Sequence, residues 1–183
     1  MTNRLFFGLT LAFVLLAIPA RADFTMCGGP CPAGNHLAGQ SCSLASCPGS
    51  CPNQAICSPN TGNSFTMCGG PCPSGYYLFS VACSVTNCPG SCPNQGVCNK
   101  VQGTSFTMCG GPCPAGYYLS SVACSSTNCT GSCPNQGVCK QVAGTSFTMC
   151  GGPCPAGYHA SGAACSVTAC SGPCNNETIC QKN

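Results

Sequence analysis

The sequence predicts a small disulfide-rich fold: a semi-rigid, rod-like tandem array of four six-cysteine modules made of short β-hairpins and loops. Three observations lead there. A block of 41 residues recurs four times without an insertion, all 24 cysteines belong to it, and only 4% of the residues are charged. In the cleanest copy, Phe106 to Ser146, the cysteines are Cys109, Cys113, Cys124, Cys129, Cys133 and Cys139, spaced C-x3-C-x10-C-x4-C-x3-C-x5-C. The same spacing returns at Cys27, Cys31, Cys42, Cys47, Cys51 and Cys57, and at Cys68, Cys72, Cys83, Cys88, Cys92 and Cys98. It returns once more at Cys150, Cys154, Cys165, Cys170, Cys174 and Cys180. A fixed period of this size marks an array of small units. The modules are residues 23–64, 65–105, 106–146 and 147–183.

Residues 1–22 precede the array. Arg4 is a positive start, Leu5 to Ile18 is an apolar run, and Ala20-Arg21-Ala22 is a small-residue cleavage signal. This is the pattern of a secretory signal peptide, with cleavage expected after Ala22. The run is short for a span of ~30 Å of hydrocarbon. No hydrophobic tail follows Cys180, so no GPI anchor is expected. Phe24-Thr25-Met26 opens the first module directly after the leader, which leaves no room for a separate catalytic domain. Secretion brings the thiols into an oxidising compartment, where an even cysteine count implies disulfides.

The charge balance excludes several partners. Beyond the leader the charged side chains are Asp23, Lys100, Lys140, Glu177 and Lys182, a balance of +1. Nucleic-acid binding needs a basic stripe for phosphate contacts, and anionic lipid needs a polybasic cluster. Neither is present. Solubility falls to Ser, Thr, Asn and Gln, with glycans as a possible addition. Asn176-Glu177-Thr178 and Asn128-Cys129-Thr130 are acceptor sequons, and the second is the poorer because Cys129 is its middle residue.

A module of this size has little core. The third contributes Phe106, Met108, Tyr117, Tyr118, Leu119, Val122, Val138 and Val142. Units of about 40 residues or fewer need staples, and three disulfides at ~2–4 kcal/mol each supply them. Reduction is therefore expected to unfold the array. Gly110-Gly111-Pro112 and Pro114-Ala115-Gly116 are turn chemistry. Tyr117 to Ala123, aromatic and β-branched, predicts a strand. Cys133-Pro134-Asn135-Gln136 predicts a β-turn, with a second strand starting at Gly137. No stretch shows helical periodicity.

A half-block shift of register brings out a resemblance. Ser91-Cys92-Pro93-Asn94-Gln95-Gly96-Val97-Cys98 is similar to the P-C-x-N-G-G-x-C stretch of EGF-like modules. Ser105-Phe106-Thr107-Met108-Cys109 resembles their S-[YF]-x-C strand, and Cys113-Pro114-Ala115-Gly116-Tyr117 their C-P-x-G-[YF] ending. Three such frames fit, starting at Cys47, Cys88 and Cys129. The departure is three residues between Cys109 and Cys113, where EGF-like modules usually have one. The resemblance implies a two-stranded hairpin core, an extracellular binding or matrix role, and no enzyme. It also implies the pairs Cys88–Cys98, Cys92–Cys109 and Cys113–Cys124, which would leave Cys27 and Cys174 unpaired. A block-internal set, Cys109–Cys133, Cys113–Cys124 and Cys129–Cys139, leaves no orphan and is preferred. Six cysteines allow 15 connectivities, and spacing alone does not choose among them.

Metal and catalytic chemistry find little support. Calcium needs several oxygen ligands, and Ser84-Val85-Thr86-Asn87, where a calcium-binding EGF-like module carries its acidic residues, has no carboxylate. A zinc-thiolate reading conflicts with the oxidising compartment. No cofactor is expected. His36 and His159 occupy one repeat position, and Tyr77 and Tyr118 replace them in the middle modules. A proton-transfer site would not survive that exchange, so a ring packed on the neighbouring disulfide is expected instead, and no enzyme.

Three functions remain. The first is a structural or adhesive component of an extracellular matrix, cell wall or surface coat, with an extracellular protein, a polysaccharide or a second copy as partner. The second is a multivalent lectin-like module, for chitin or another polysaccharide. Its candidate ligand-binding rings are Tyr76, Tyr77, Tyr117, Tyr118 and Tyr158, beside the amides Asn94-Gln95 and Asn135-Gln136. Strand alternation would instead turn one ring of each pair inward. The third is a cysteine-rich protease inhibitor. It is disfavoured because Lys100 and Lys140 are expected in the joints between modules.

Overall fold

The computed structural model describes residues 22–183. The leader read at 1–22 lies outside the described residues apart from Ala22. Twelve strands follow in order: β1 Phe24–Cys27, β2 Asn35–Ser41, β3 Gln54–Pro59, β4 Ser64–Cys68, β5 Tyr76–Ala82 and β6 Gln95–Lys100. They continue as β7 Ser105–Cys109, β8 Tyr117–Ala123, β9 Gln136–Gln141, β10 Ser146–Cys150, β11 Tyr158–Ala164 and β12 Glu177–Lys182. No helix occurs among the described residues.

Each module is one three-stranded antiparallel sheet in which the last strand in sequence lies in the middle: β1-β3-β2, β4-β6-β5, β7-β9-β8 and β10-β12-β11. The hairpin implied by the EGF-like resemblance is thus one strand short. The strand predicted from Tyr117 to Ala123 is β8. The one predicted from Gly137 starts one residue earlier, at Gln136. The β-turn predicted before it does not form as a simple turn. The Cys133–Pro134 peptide is cis, Asn135 turns inward and Gln136 already pairs with Ala123.

Twelve disulfides take up every cysteine, and none crosses between modules. In the third module the pairs are Cys109–Cys129, Cys113–Cys139 and Cys124–Cys133. The other three modules pair in the same order: first with fourth, second with sixth, third with fifth. Containment within the block agrees with the sequence, but the preferred pairs do not form. Cys109–Cys133, Cys113–Cys124 and Cys129–Cys139 are all replaced. The EGF-like pairs Cys88–Cys98, Cys92–Cys109 and Cys113–Cys124 are absent too, and Cys27 and Cys174 are not orphans.

The reason is strand order. Because β9 is central, Cys139 lies at the middle of the module and is 0% exposed. The loop between β7 and β8 brings Cys113 over it. Cys124 and Cys133 bracket the β8–β9 connection, whose ends meet where Ala123 pairs with Gln136. Cys129, within that connection, closes on Cys109 at the end of β7.

Asn135 organises the same connection. Its Oδ1 accepts from the Ser125 amide at 2.8 Å, and its Nδ2 donates to the carbonyls of Ser125 at 2.8 Å and Cys129 at 3.0 Å. Asn53, Asn94 and Asn176 hold the same place in their modules and bond the equivalent serine and cysteine. A module with so few apolar residues uses this amide to satisfy backbone groups that no ladder reaches.

Candidate functional site

The chain's most distinctive surface is the junction between modules. Among the described residues, sheet-to-sheet contacts join only modules adjacent in sequence: β2 with β4, β5 with β7, and β8 with β10. At each junction a ring from the edge strand of one module stacks on a phenylalanine of the next. His36 lies 3.9 Å from Phe65, Tyr77 4.1 Å from Phe106, and Tyr118 4.2 Å from Phe147, centroid to centroid, with planes within 17° of parallel. Each phenylalanine also meets a tilted tyrosine of its own module: Tyr76, Tyr117 or Tyr158, at 4.7–4.9 Å. Aromatic pairs in such geometries add about 0.5–1.5 kcal/mol beyond the area they bury.

Polar groups lock the stack. The hydroxyls of Tyr76, Tyr117 and Tyr158 donate to the carbonyls of Gly62, Gly103 and Gly144 in the preceding joint, at 2.9, 2.6 and 2.7 Å. Each edge strand carries a β-bulge, between Leu37 and Gly39, Leu78 and Ser80, and Leu119 and Ser121. Bulges bend an edge strand and re-aim its groups. Just beyond the bulge the amides of Gln40, Val81 and Val122 donate across the junction to the carbonyls of Asn87, Asn128 and Ala169, at 2.8, 2.8 and 2.7 Å. An edge strand otherwise exposes such groups as a template for unwanted pairing. Here the next module takes them up.

These contacts locate the residues singled out from the sequence. Tyr76, Tyr77, Tyr117, Tyr118 and Tyr158 are all half-buried against phenylalanine, rather than one ring in and one out. Burial pushes the Tyr118 phenol above its ordinary pKa. Asn94 and Asn135 are buried inside their modules and do not stand beside the rings as free amides. His36 stacks on Phe65 of the next module, and its Nδ1–H donates to Oδ1 of Asn60 at 3.0 Å. His/Tyr exchange at this repeat position follows from what the position needs, a flat ring, with no demand on proton chemistry. Lys100 and Lys140 are exposed at the ends of the central strands β6 and β9 rather than in the joints.

The two sequons fall on structural positions. Asn128 supplies a junction carbonyl, and Asn176 is the hub amide of the last module. A glycan on Asn176 Nδ2 would displace at least one of its bonds to Ser166 and Cys170. Phe65, Phe106 and Phe147 were not singled out from the sequence, yet each is a junction residue. The available signal was a flat ring retained at position 36, 77 and 118 through a His/Tyr exchange.

The junction of the second and third modules also forms a groove of about 610 Å³, walled by Pro71, Pro73, Tyr77, Val101, Met108 and Pro112. Its lining is largely apolar, and its titratable groups are the phenols of Tyr76 and Tyr77. No group of His, Cys, Asp or Glu able to hold a metal occurs among the described residues. No helix there is long and apolar enough to cross a membrane. Twelve disulfides place the fold in an oxidising environment. In comparisons with known proteins, the chain matches no family model, no curated protein and no solved structure.

Proposed function

We propose that this chain is a secreted, non-enzymatic structural or adhesive component of an extracellular matrix, cell wall or surface coat. The observation that carries the reading is the repeated junction. Three ring stacks, each with a hydrogen bond across it, join the modules in line. Nearest-neighbour stacking of this kind makes a quasi-one-dimensional protein with an extended surface. Its partner is an extracellular protein or a polysaccharide. Adhesion through repeated weak contacts gains avidity when the sites are linked. Leu44, Val85 and Val167, exposed at one repeat position in three modules, are such contacts.

The lectin-like reading is supported less well. Its tyrosines are committed to the junctions, and the groove beside Tyr76 and Tyr77 is largely apolar where a neutral sugar needs polar partners. The EGF-like resemblance supports the matrix reading through its motifs but not through its disulfides. A pulldown of the oxidised protein on chitin, cellulose and extracellular-matrix protein tests these readings, with reduced protein as control. Retention that falls with the number of modules supports the adhesive array. Binding unaffected by reduction, or by removal of three modules, overturns it.

A further inference from the structure

The first and the last described modules carry the two halves of a junction. Phe24 is the first-module counterpart of Phe65, and at 38% exposure it has no stacking partner among the described residues. His159 is the last-module counterpart of His36, and it is exposed. Its setting repeats that of His36 in detail. His159 Nδ1–H donates to Oδ1 of Asn183 at 2.8 Å, as His36 does to Asn60 at 3.0 Å. Both edge strands place glycine three residues on, Gly162 and Gly39, at a bulge. At the first junction that glycine faces the neighbour: a Cβ on Gly39 would lie in ordinary contact, 3.5 Å, with the Asn87 carbonyl oxygen, and the small residues Ser80 and Ser121 take its place at the other two junctions. The last module thus presents the same ring, the same ring-orienting amide and the same small residue that dock the first module onto Phe65.

We infer that the chain associates head to tail with a second copy of itself, His159 of one copy stacking on Phe24 of the next. In that contact the Ala163 amide, the equivalent of Gln40, donates to the Ser46 carbonyl, the equivalent of Asn87. The face around His159 is ready for this. Every residue of β11 from His159 to Ala163 is exposed, whereas the matching edge strands β2, β5 and β8 are largely covered by the following module. The strand carries no Asp, Glu, Lys or Arg to repel a partner, and an edge without such charges is a pairing surface. The intermolecular contact is weaker than an internal junction, for two reasons. Asn35 stands where Tyr76, Tyr117 and Tyr158 back the other phenylalanines, so two rings meet instead of three. No covalent joint holds the partners together. A heterologous contact that does not close generates an open filament. This rests on the structural reading of the chain, and gives it a means of growth.

Sedimentation velocity on the oxidised protein, expressed from the full 183-residue frame in a secretory host, tests it. Species larger than one chain are expected to grow with concentration and to be insensitive to salt. His159→Ala and Phe24→Ala should each weaken association about tenfold. His159→Tyr, which installs the ring used at the second and third junctions, should retain it. An equimolar mixture of the two alanine variants has one intact head and one intact tail between them, so it should stop at the dimer. A protein that stays monomeric, or that associates equally well with both alanine substitutions, overturns the inference. If such a monomer still binds in the pulldown above, the adhesive reading stands without it.

Discussion

His36 lies flat on Phe65, 3.9 Å between centroids and 14° from parallel, at the joint between the first two modules. Burial lowers the pKa of this imidazole, and the Asn60 hydrogen bond and the Asp23 carboxylate oppose the shift more weakly. A depressed histidine pKa means that the unfolded or undocked chain binds the proton more readily than the docked one. The first junction is therefore at full strength above the ordinary imidazole value of about 6.5. It weakens as pH falls below that value, and the loss is complete once pH has passed the lower, docked pKa. Hydrogen exchange of the Gln40 amide, which crosses this junction, should speed up on going from pH 7.5 to pH 5 after correction for intrinsic rates. The Val81 and Val122 amides, at the tyrosine junctions, should not. A uniform response of all three would contradict this account.

Phe106 meets both Tyr77 of the preceding module and Tyr117 of its own. Phe106→Ala removes both contacts at once and should loosen that junction by about 1–3 kcal/mol, below the 3–5 seen for a fully buried phenylalanine. The Val81 amide, which donates to Asn128 across the same junction, should exchange at least about fivefold faster. Amides of the central strand β9 report the module itself and should slow or speed much less. If β9 loses protection together with Val81, the junction and the module form one cooperative unit, which would contradict this prediction.

Asn135 is 9% exposed, and its amide meets backbone groups of Ser125 and Cys129 closely and the Gly131 carbonyl at 3.5 Å. Asn135→Ala leaves the Ser125 N–H and two carbonyls without a partner, at a cost of about 1–3 kcal/mol. Asn135→Asp keeps the acceptor for Ser125 but faces carboxylate oxygen towards carbonyl oxygen, so it should be no better. Thermal unfolding of the single third module, or of the full chain monitored by exchange at β9, reads the loss. Wild-type stability in Asn135→Ala would mean that the disulfides alone position this loop.

Gly137 leaves space that Leu119 fills, since a Cβ there would come within 2.8 Å of Leu119 Cδ1. Gly137→Thr should overpack the module by about 1–3 kcal/mol. The last module carries Thr178 and Ala160 at these two positions, a larger residue opposite a smaller one. Adding Leu119→Ala to Gly137→Thr should therefore recover part of the loss, a coupling that a double-mutant cycle measures directly. Additive losses would show that the two sites do not share the space.

The period, the number of modules, the containment of disulfides within a module and the strand from Tyr117 to Ala123 were all legible in one dimension. Each depends on spacing or on local alternation, which the chain displays directly. The order of strands in the sheet was not. It is set by which residues meet across more than 20 positions, and with the last strand in the centre Cys139 reaches Cys113 instead of Cys129. The same limit hid the hub role of Asn135, whose sequence looks like turn chemistry. It also hid the role of the tyrosine pairs. Alternation along one strand predicts an inside and an outside for one sheet, but the side that looked outward here is covered by the next module. Phe65, Phe106 and Phe147 became junction residues because a thin, nearly uncharged sheet has an edge to cover, and the neighbouring repeat is the surface tethered closest to it.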